Sequence, residues 1–165
     1  TDVGYSCATS SNYLKSNYNV DTLTLFTQNS AHISLWQRNN IAGNFRFKTE
    51  ASGVNIYPRY LDDNTYIRVN DASESGAIAA STDSIGFWLG NRSSSTAREA
   101  YKNGSSLGTY GSVASQAVSP EKFLIQSDIS DAMEVAVMSV GGSLTSGEVT
   151  SFYNALNTLK SAIGW

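Results

Sequence analysis

Period-two alternation dominates this chain, and only one stretch carries a helical period. In Ala31-His32-Ile33-Ser34-Leu35-Trp36-Gln37-Arg38, Ile33 and Leu35 share one face while His32, Ser34, Trp36 and Arg38 share the other. The pattern recurs in Thr22-Leu23-Thr24-Leu25-Phe26, Phe45-Arg46-Phe47-Lys48, Val54-Asn55-Ile56-Tyr57 and Tyr66-Ile67-Arg68-Val69-Asn70. Half-buried antiparallel strands require such alternation. Turn chemistry separates the runs at Asn39-Asn40, Ser52-Gly53, Asp62-Asp63-Asn64 and Asn70-Asp71. Further strands are expected at Ser84–Gly90, Ala97–Lys102, Leu107–Tyr110, Lys122–Ser127 and Met133–Met138. About nine to twelve short strands at roughly ten-residue spacing predict an all-β, two-sheet antiparallel sandwich rather than alternating strands and helices. Residues 1–20 are polar and dotted with tyrosine, without a readable period.

The last third adds the exception. Asn103-Gly104 is the pair that a two-residue hairpin turn needs, because both central residues take positive φ. After Met133–Met138 the chain is broken by Gly141-Gly142, and Thr145-Ser146-Gly147-Glu148 reads as a capping box. Behind it Val149, Phe152, Leu156, Leu159 and Ile163 recur at three- and four-residue steps, predicting one C-terminal helix over 145–163.

With 165 residues the chain is expected to form one domain over 1–165, long enough to bury about 70% of its unfolded surface. Charged residues make up only 15% and the net charge is −3, without the basic stripe that neutralises phosphates, so nucleic acid is not an expected partner. No apolar run approaches the ~20 residues of a membrane span, so no membrane insertion is expected. The single cysteine, Cys7, has no internal disulfide partner and reads as a small hydrophobe. No signal segment opens the chain, and Thr1 in place of Met fits either processing or a fragment of a longer chain.

Three blocks resemble concanavalin A-like (laminin-G-like) jelly-roll domains found in phage and bacterial surface proteins. They are Gln28 to Asn40, Ser84 to Arg92 with Tyr101-Lys102-Asn103-Gly104, and Glu134 to Thr145 running into the terminal helix. The resemblance covers residues 21–165 and leaves 1–20 unmatched. It implies a jelly-roll of two sheets packed face to face and a role in binding or assembly, often in a virion, tail-fibre or cell-surface protein. It supplies no catalytic motif, and fold alone does not set function.

Chemistry therefore has to be sought in side-chain groupings. Retaining glycan hydrolysis needs two carboxyls about 5–5.5 Å apart. On a strand that is an acid-x-acid pair, and the chain has none; Asp128, Asp131 and Glu134 are spaced by three. His32, the one histidine, reads as an exposed strand residue beside Trp36, and one His with one Cys rules out a zinc site of nitrogen and sulfur ligands. Asp62, Asp63 and Asp71 offer loop oxygens to calcium, which takes six to eight of them, but they are equally good turn formers. Phe87 and Trp88 are expected to divide between the core and a loop-covered site, and Trp165 to fold back onto the sandwich or reach a neighbouring subunit.

The alternation also places Trp36, Arg38, Tyr57, Arg59, Tyr66 and Arg68 on outward faces. Interleaved aromatics and arginines suit contact with a glycan or a protein receptor. The expectation is a non-catalytic binding or assembly domain of a virion or an extracellular surface, homo-oligomeric and touching other virion proteins. The alternative is a polysaccharide-degrading hydrolase or lyase on the same fold.

Overall fold

A computed structural model describes residues 5–7, 13–43, 46–50, 53–73, 76–126 and 133–164. Among these described residues twelve strands and one α-helix follow in chain order: β1 (Tyr5–Cys7), β2 (Tyr13–Asn19), β3 (Ala31–Gln37), β4 (Arg46–Thr49), β5 (Val54–Tyr57), β6 (Asn64–Val69), β7 (Ala79–Ala80), β8 (Gly86–Arg92), β9 (Arg98–Lys102), β10 (Ser105–Thr109), β11 (Lys122–Gln126), β12 (Met133–Gly141) and α1 (Ser146–Ile163). They build two six-stranded sheets. Sheet one runs β1-β12-β3-β8-β9-β10 and sheet two β2-β11-β4-β5-β6-β7, with antiparallel pairing throughout the described residues. The expected two-sheet antiparallel sandwich with one C-terminal helix is met.

Alternation fills the space between the sheets. Ile33, Leu35 and Trp88 of sheet one meet Phe47, Ile56, Ile67, Val69, Phe123 and Ile125 of sheet two in one buried cluster. Gly90 permits the close approach. A Cβ there would lie 2.2 Å from the Ile67 Cγ2 and 2.9 Å from the Val69 Cγ2.

Helix α1 covers the other face of sheet one. Trp36, Phe87, Leu89 and Tyr101 pack there with Val149, Leu156, Phe152 and Tyr153. A bulge in β12 between Val135 and Val137 turns both Ala136 and Val137 toward this second layer. The helix begins as expected: the Glu148 N–H donates to the Thr145 hydroxyl at 3.3 Å, and the Thr145 N–H donates to the Glu148 carboxylate at 2.7 Å. It ends at Gly164, whose φ of 73° is left-handed. Leu159 and Ile163 continue the stripe in sequence yet are 45% and 55% exposed, beyond the packed part of the helix.

The hairpin at Asn103-Gly104 is also as expected, with φ of 52° and 76°. Other expectations need correction. Thr22–Phe26 is no strand: Val20–Thr22 is a 3-10 turn, and the Leu23 and Phe26 N–H groups reach back to the carbonyls three residues earlier. Phe26 is buried while Leu25 is exposed, so five residues of alternation reflected a winding turn. The unreadable first twenty residues hold β1 and β2. Phe87 lies under α1 rather than under a loop, and Trp88 lies between the sheets. Cys7 sits in β1 opposite Met133. Phe45, Asp128, Asp131 and Trp165 lie outside the described residues.

Candidate functional site

The six outward residues expected from the sequence do not form one surface. Trp36 is 4% exposed, stacked on Tyr153 of α1 with ring centroids 5.7 Å apart and planes 14° from parallel. The Lys160 ammonium lies 5.1 Å from the centre of the same ring. Arg38, also at sheet one, has a guanidinium nitrogen 4.0 Å from the Glu134 carboxylate. Arg68 is on the outer face of sheet two, opposite Asn55, but only 7% exposed. Tyr57, Arg59 and Tyr66 do come together.

Their convergence follows from strand register. Ile56 and Ile67 pair across β5 and β6 and face the core, so the next pair, Tyr57 and Tyr66, faces outward. The connection from Pro58 to Asp63 folds back over this pair. The Tyr60 N–H donates to the Asn64 carbonyl at 2.8 Å, the Asp63 N–H to the Tyr60 carbonyl at 3.0 Å, and the buried Thr65 hydroxyl to the Pro58 carbonyl at 2.8 Å. Asp63 completes the turn with a φ of 57°.

The turn brings in Tyr60, which the sequence reasoning missed. Its ring centroid is 5.4 Å from that of Tyr57 and 5.6 Å from that of Tyr66, at interplanar angles of 84° and 79°. Edge-to-face contacts of this kind fix ring orientation. The available signal was a tyrosine only three residues beyond a strand that already ended in one.

Polar groups border the rings. Asp62 accepts the Tyr66 hydroxyl at 2.7 Å on one oxygen and the Asn64 N–H at 3.1 Å on the other. The Tyr66 bond holds the Asp62 carboxyl below its ordinary range, and the same bond pushes the Tyr66 phenol up. Arg59 donates to the Asp63 carboxylate at 2.7 Å and to the Asn40 side-chain oxygen at 3.2 Å.

The calcium grouping separates. Asp62 and Asp63 stay in the exposed turn, whereas Asp71 is fully buried between two arginines. The Asp71 carboxylate takes an Arg92 nitrogen at 2.7 Å and a close contact from Arg98, so it serves as an internal counter-ion. Arg92 also donates to the carbonyls of Val69, Ser94, Ser95 and Val113, and Arg98 to those of Tyr110 and Gly111. These two arginines pin three chain segments at one end of the sandwich. Among the described residues no group of three or more His, Cys, Asp or Glu is placed to hold a metal ion.

His32 is also buried, contrary to expectation. Its Nδ1 donates to the Gly142 carbonyl at 2.6 Å, which leaves Nε2 to accept from the Ser139 hydroxyl at 3.2 Å. Ser139 in turn lies 2.6 Å from the Ser34 hydroxyl. Burial lowers the His32 pKa, with the Gly142 bond opposing. The Phe152 ring of α1 lies edge-on to the imidazole at 6.3 Å, so this serine–histidine chain is a packed layer beneath the helix.

No known family model matches the chain, and no curated protein sequence does so. Solved structures do match its shape. The binding domain of Paraclostridial Mosquitocidal Protein 1 is 13% identical with a TM-score of 0.61, over 94% of this chain and 47% of that one. The receptor binding domain of botulinum neurotoxin D is 10% identical with a TM-score of 0.65, over 92% and 43%. Domain 4 of AbnA, a GH43 extracellular arabinanase from Geobacillus stearothermophilus solved with arabinotriose, is 15% identical with a TM-score of 0.51, over 78% and 68%. This chain spans less than half the length of the two toxin domains. At such identities the likeness defines a class by fold alone, a β-sandwich shared with these domains.

Proposed function

We propose that the chain is a non-catalytic domain that binds a glycan through Tyr57, Tyr60 and Tyr66, displayed on a phage particle or a bacterial surface. The observation that carries this reading is the rim of three tyrosines, Tyr60 edge-on to both Tyr57 and Tyr66, beside an exposed carboxylate. Aromatic faces take the C–H surface of a sugar, and planar polar groups beside them take its hydroxyls. The matching face of sheet one is closed by α1, whereas Tyr57, Tyr60 and Tyr66 at sheet two are only half-buried. The structural neighbours, two binding domains and a domain solved with arabinotriose, support the reading by analogy. Among the described residues no helix is long and apolar enough to cross a membrane.

The test is a glycan array probed with labelled wild-type protein and with Tyr57→Ala and Tyr66→Ala. Binding that both substitutions abolish supports the proposal. Binding that survives both places the site elsewhere. Capture of a protein receptor with no glycan signal makes this a protein-binding face instead. Release of new reducing ends or unsaturated products from a polysaccharide, lost on substitution of a single acid, replaces binding with catalysis.

A further inference from the structure

Sheet one stops a strand short along part of one side. β1 pairs with β12 only at Tyr5–Val135, Ser6–Glu134 and Cys7–Met133. Residues 137–141 pair with β3 on one side and, among the described residues, with no strand on the other. Past the bulge this edge runs Val137-Met138-Ser139-Val140-Gly141, without the charge or proline that keeps an exposed edge from pairing. The remaining edges are blunted. β2 carries Lys15 and an irregular register, β7 has two residues, and β10 is bulged between Ser106 and Gly108.

The floor beside the open edge is apolar. Met138 and Val140 share a cavity with Phe47 of β4 and Phe123 of β11, so the place opposite β2 falls to the three residues of β1. Two adjoining cavities of about 170 and 220 Å³ open there, lined chiefly by Leu14, Tyr18, Phe47, Phe123, Met138 and Val140. Leu14 pairs with the core residue Ile125 and so points between the sheets, yet it is 46% exposed. Tyr18 and Met138 are 71% and 37% exposed.

One kind of occupant meets both demands. An acyl chain would cover the floor and leave the main-chain groups of the edge unpaired. A helix spends its own N–H and C=O groups internally and cannot pair them either. An added strand hydrogen-bonds to the edge and sends every second side chain onto the floor.

We propose that residues 137–141 dock an extended peptide of a partner protein as an added strand of sheet one, its alternate apolar side chains covering Leu14, Tyr18 and Met138. The tyrosine rim lies on the outer face of sheet two, so this site is independent of the glycan reading. Isothermal titration tests it with end-blocked octapeptides carrying valine or leucine at every second position and threonine or lysine between. Each is matched by a peptide of the same composition whose apolar residues are contiguous. The alternating member is expected to bind at least about tenfold more tightly. Met138→Lys puts a charge on the floor and is expected to weaken that binding about tenfold, with folding checked by thermal melting. Hydrogen exchange should slow on binding at the amides of residues 137–141 that point away from β3. Equal affinity for both members, no binding, indifference to Met138→Lys, or unchanged exchange at these amides overturns the proposal. So does exchange already as slow in the free protein as in β3, whether its own chain or a second copy covers the edge.

Discussion

Trp36 of β3 lies flat against Tyr153 of α1, 5.7 Å between ring centres and 14° from parallel. That contact makes the most conspicuous aromatic of the strand a part of the helix seal. It also turns sheet one into a layer covered on both sides, with all seven residues of β3 and all seven of β8 buried.

Trp36→Ala should therefore act on stability and not on recognition. Removing a large buried aromatic costs about 3–5 kcal/mol. Urea unfolding followed by circular dichroism measures the loss, and glycan affinity of the folded fraction should match wild type. A stable variant with weakened binding would return Trp36 to the binding surface.

The legible part of this fold was what local chemistry determines. The Thr145 and Glu148 box, the Asn103-Gly104 turn and most strands follow from neighbours within a few residues. Which face of a strand meets water is not local. His32, Ser34 and Trp36 alternate with Ile33 and Leu35 as an exposed set would, but α1, more than a hundred residues later, covers them. The pairing of Arg92 and Arg98 with Asp71, over twenty residues upstream, is likewise not local. The site was half visible. Tyr57 and Tyr66 follow from alternation, whereas Tyr60 joins them only through the fold of the connecting turn.

Stability should fall as pH drops below His32's ordinary value of 6.5. Burial lowers the folded-state pKa, so in this window the unfolded chain takes up the proton first and acid favours unfolding. Below the lowered pKa both states are protonated and the loss is complete; above 6.5 His32 contributes no pH dependence. Denaturant midpoints at about pH 7.5 and about pH 5 should differ more for wild type than for His32→Gln. Equal differences would mean that His32 is not sealed beneath α1.

Asp71→Asn should destabilise the protein by about 3–5 kcal/mol, because it leaves two buried guanidiniums without their counter-charge. Calcium should leave the wild-type melting temperature where EDTA leaves it. A calcium-dependent rise lost in Asp71→Asn would show that the carboxylate is available to a metal.

Gly90→Ala should cost about 1–3 kcal/mol by overpacking, since the new methyl meets Ile67 and Val69 across the sandwich. Calorimetry of this variant gauges how tightly the two sheets approach. A neutral effect would indicate a looser core than the register implies.

The most direct measurement is a titration of isotope-labelled protein with the tightest-binding oligosaccharide from the array, followed by amide chemical shifts. Residues 57–66 should move with saturation while those of α1 stay in place. Shifts gathered on Val149, Phe152 and Tyr153, with the β5–β6 turn silent, would contradict a recognition face on sheet two.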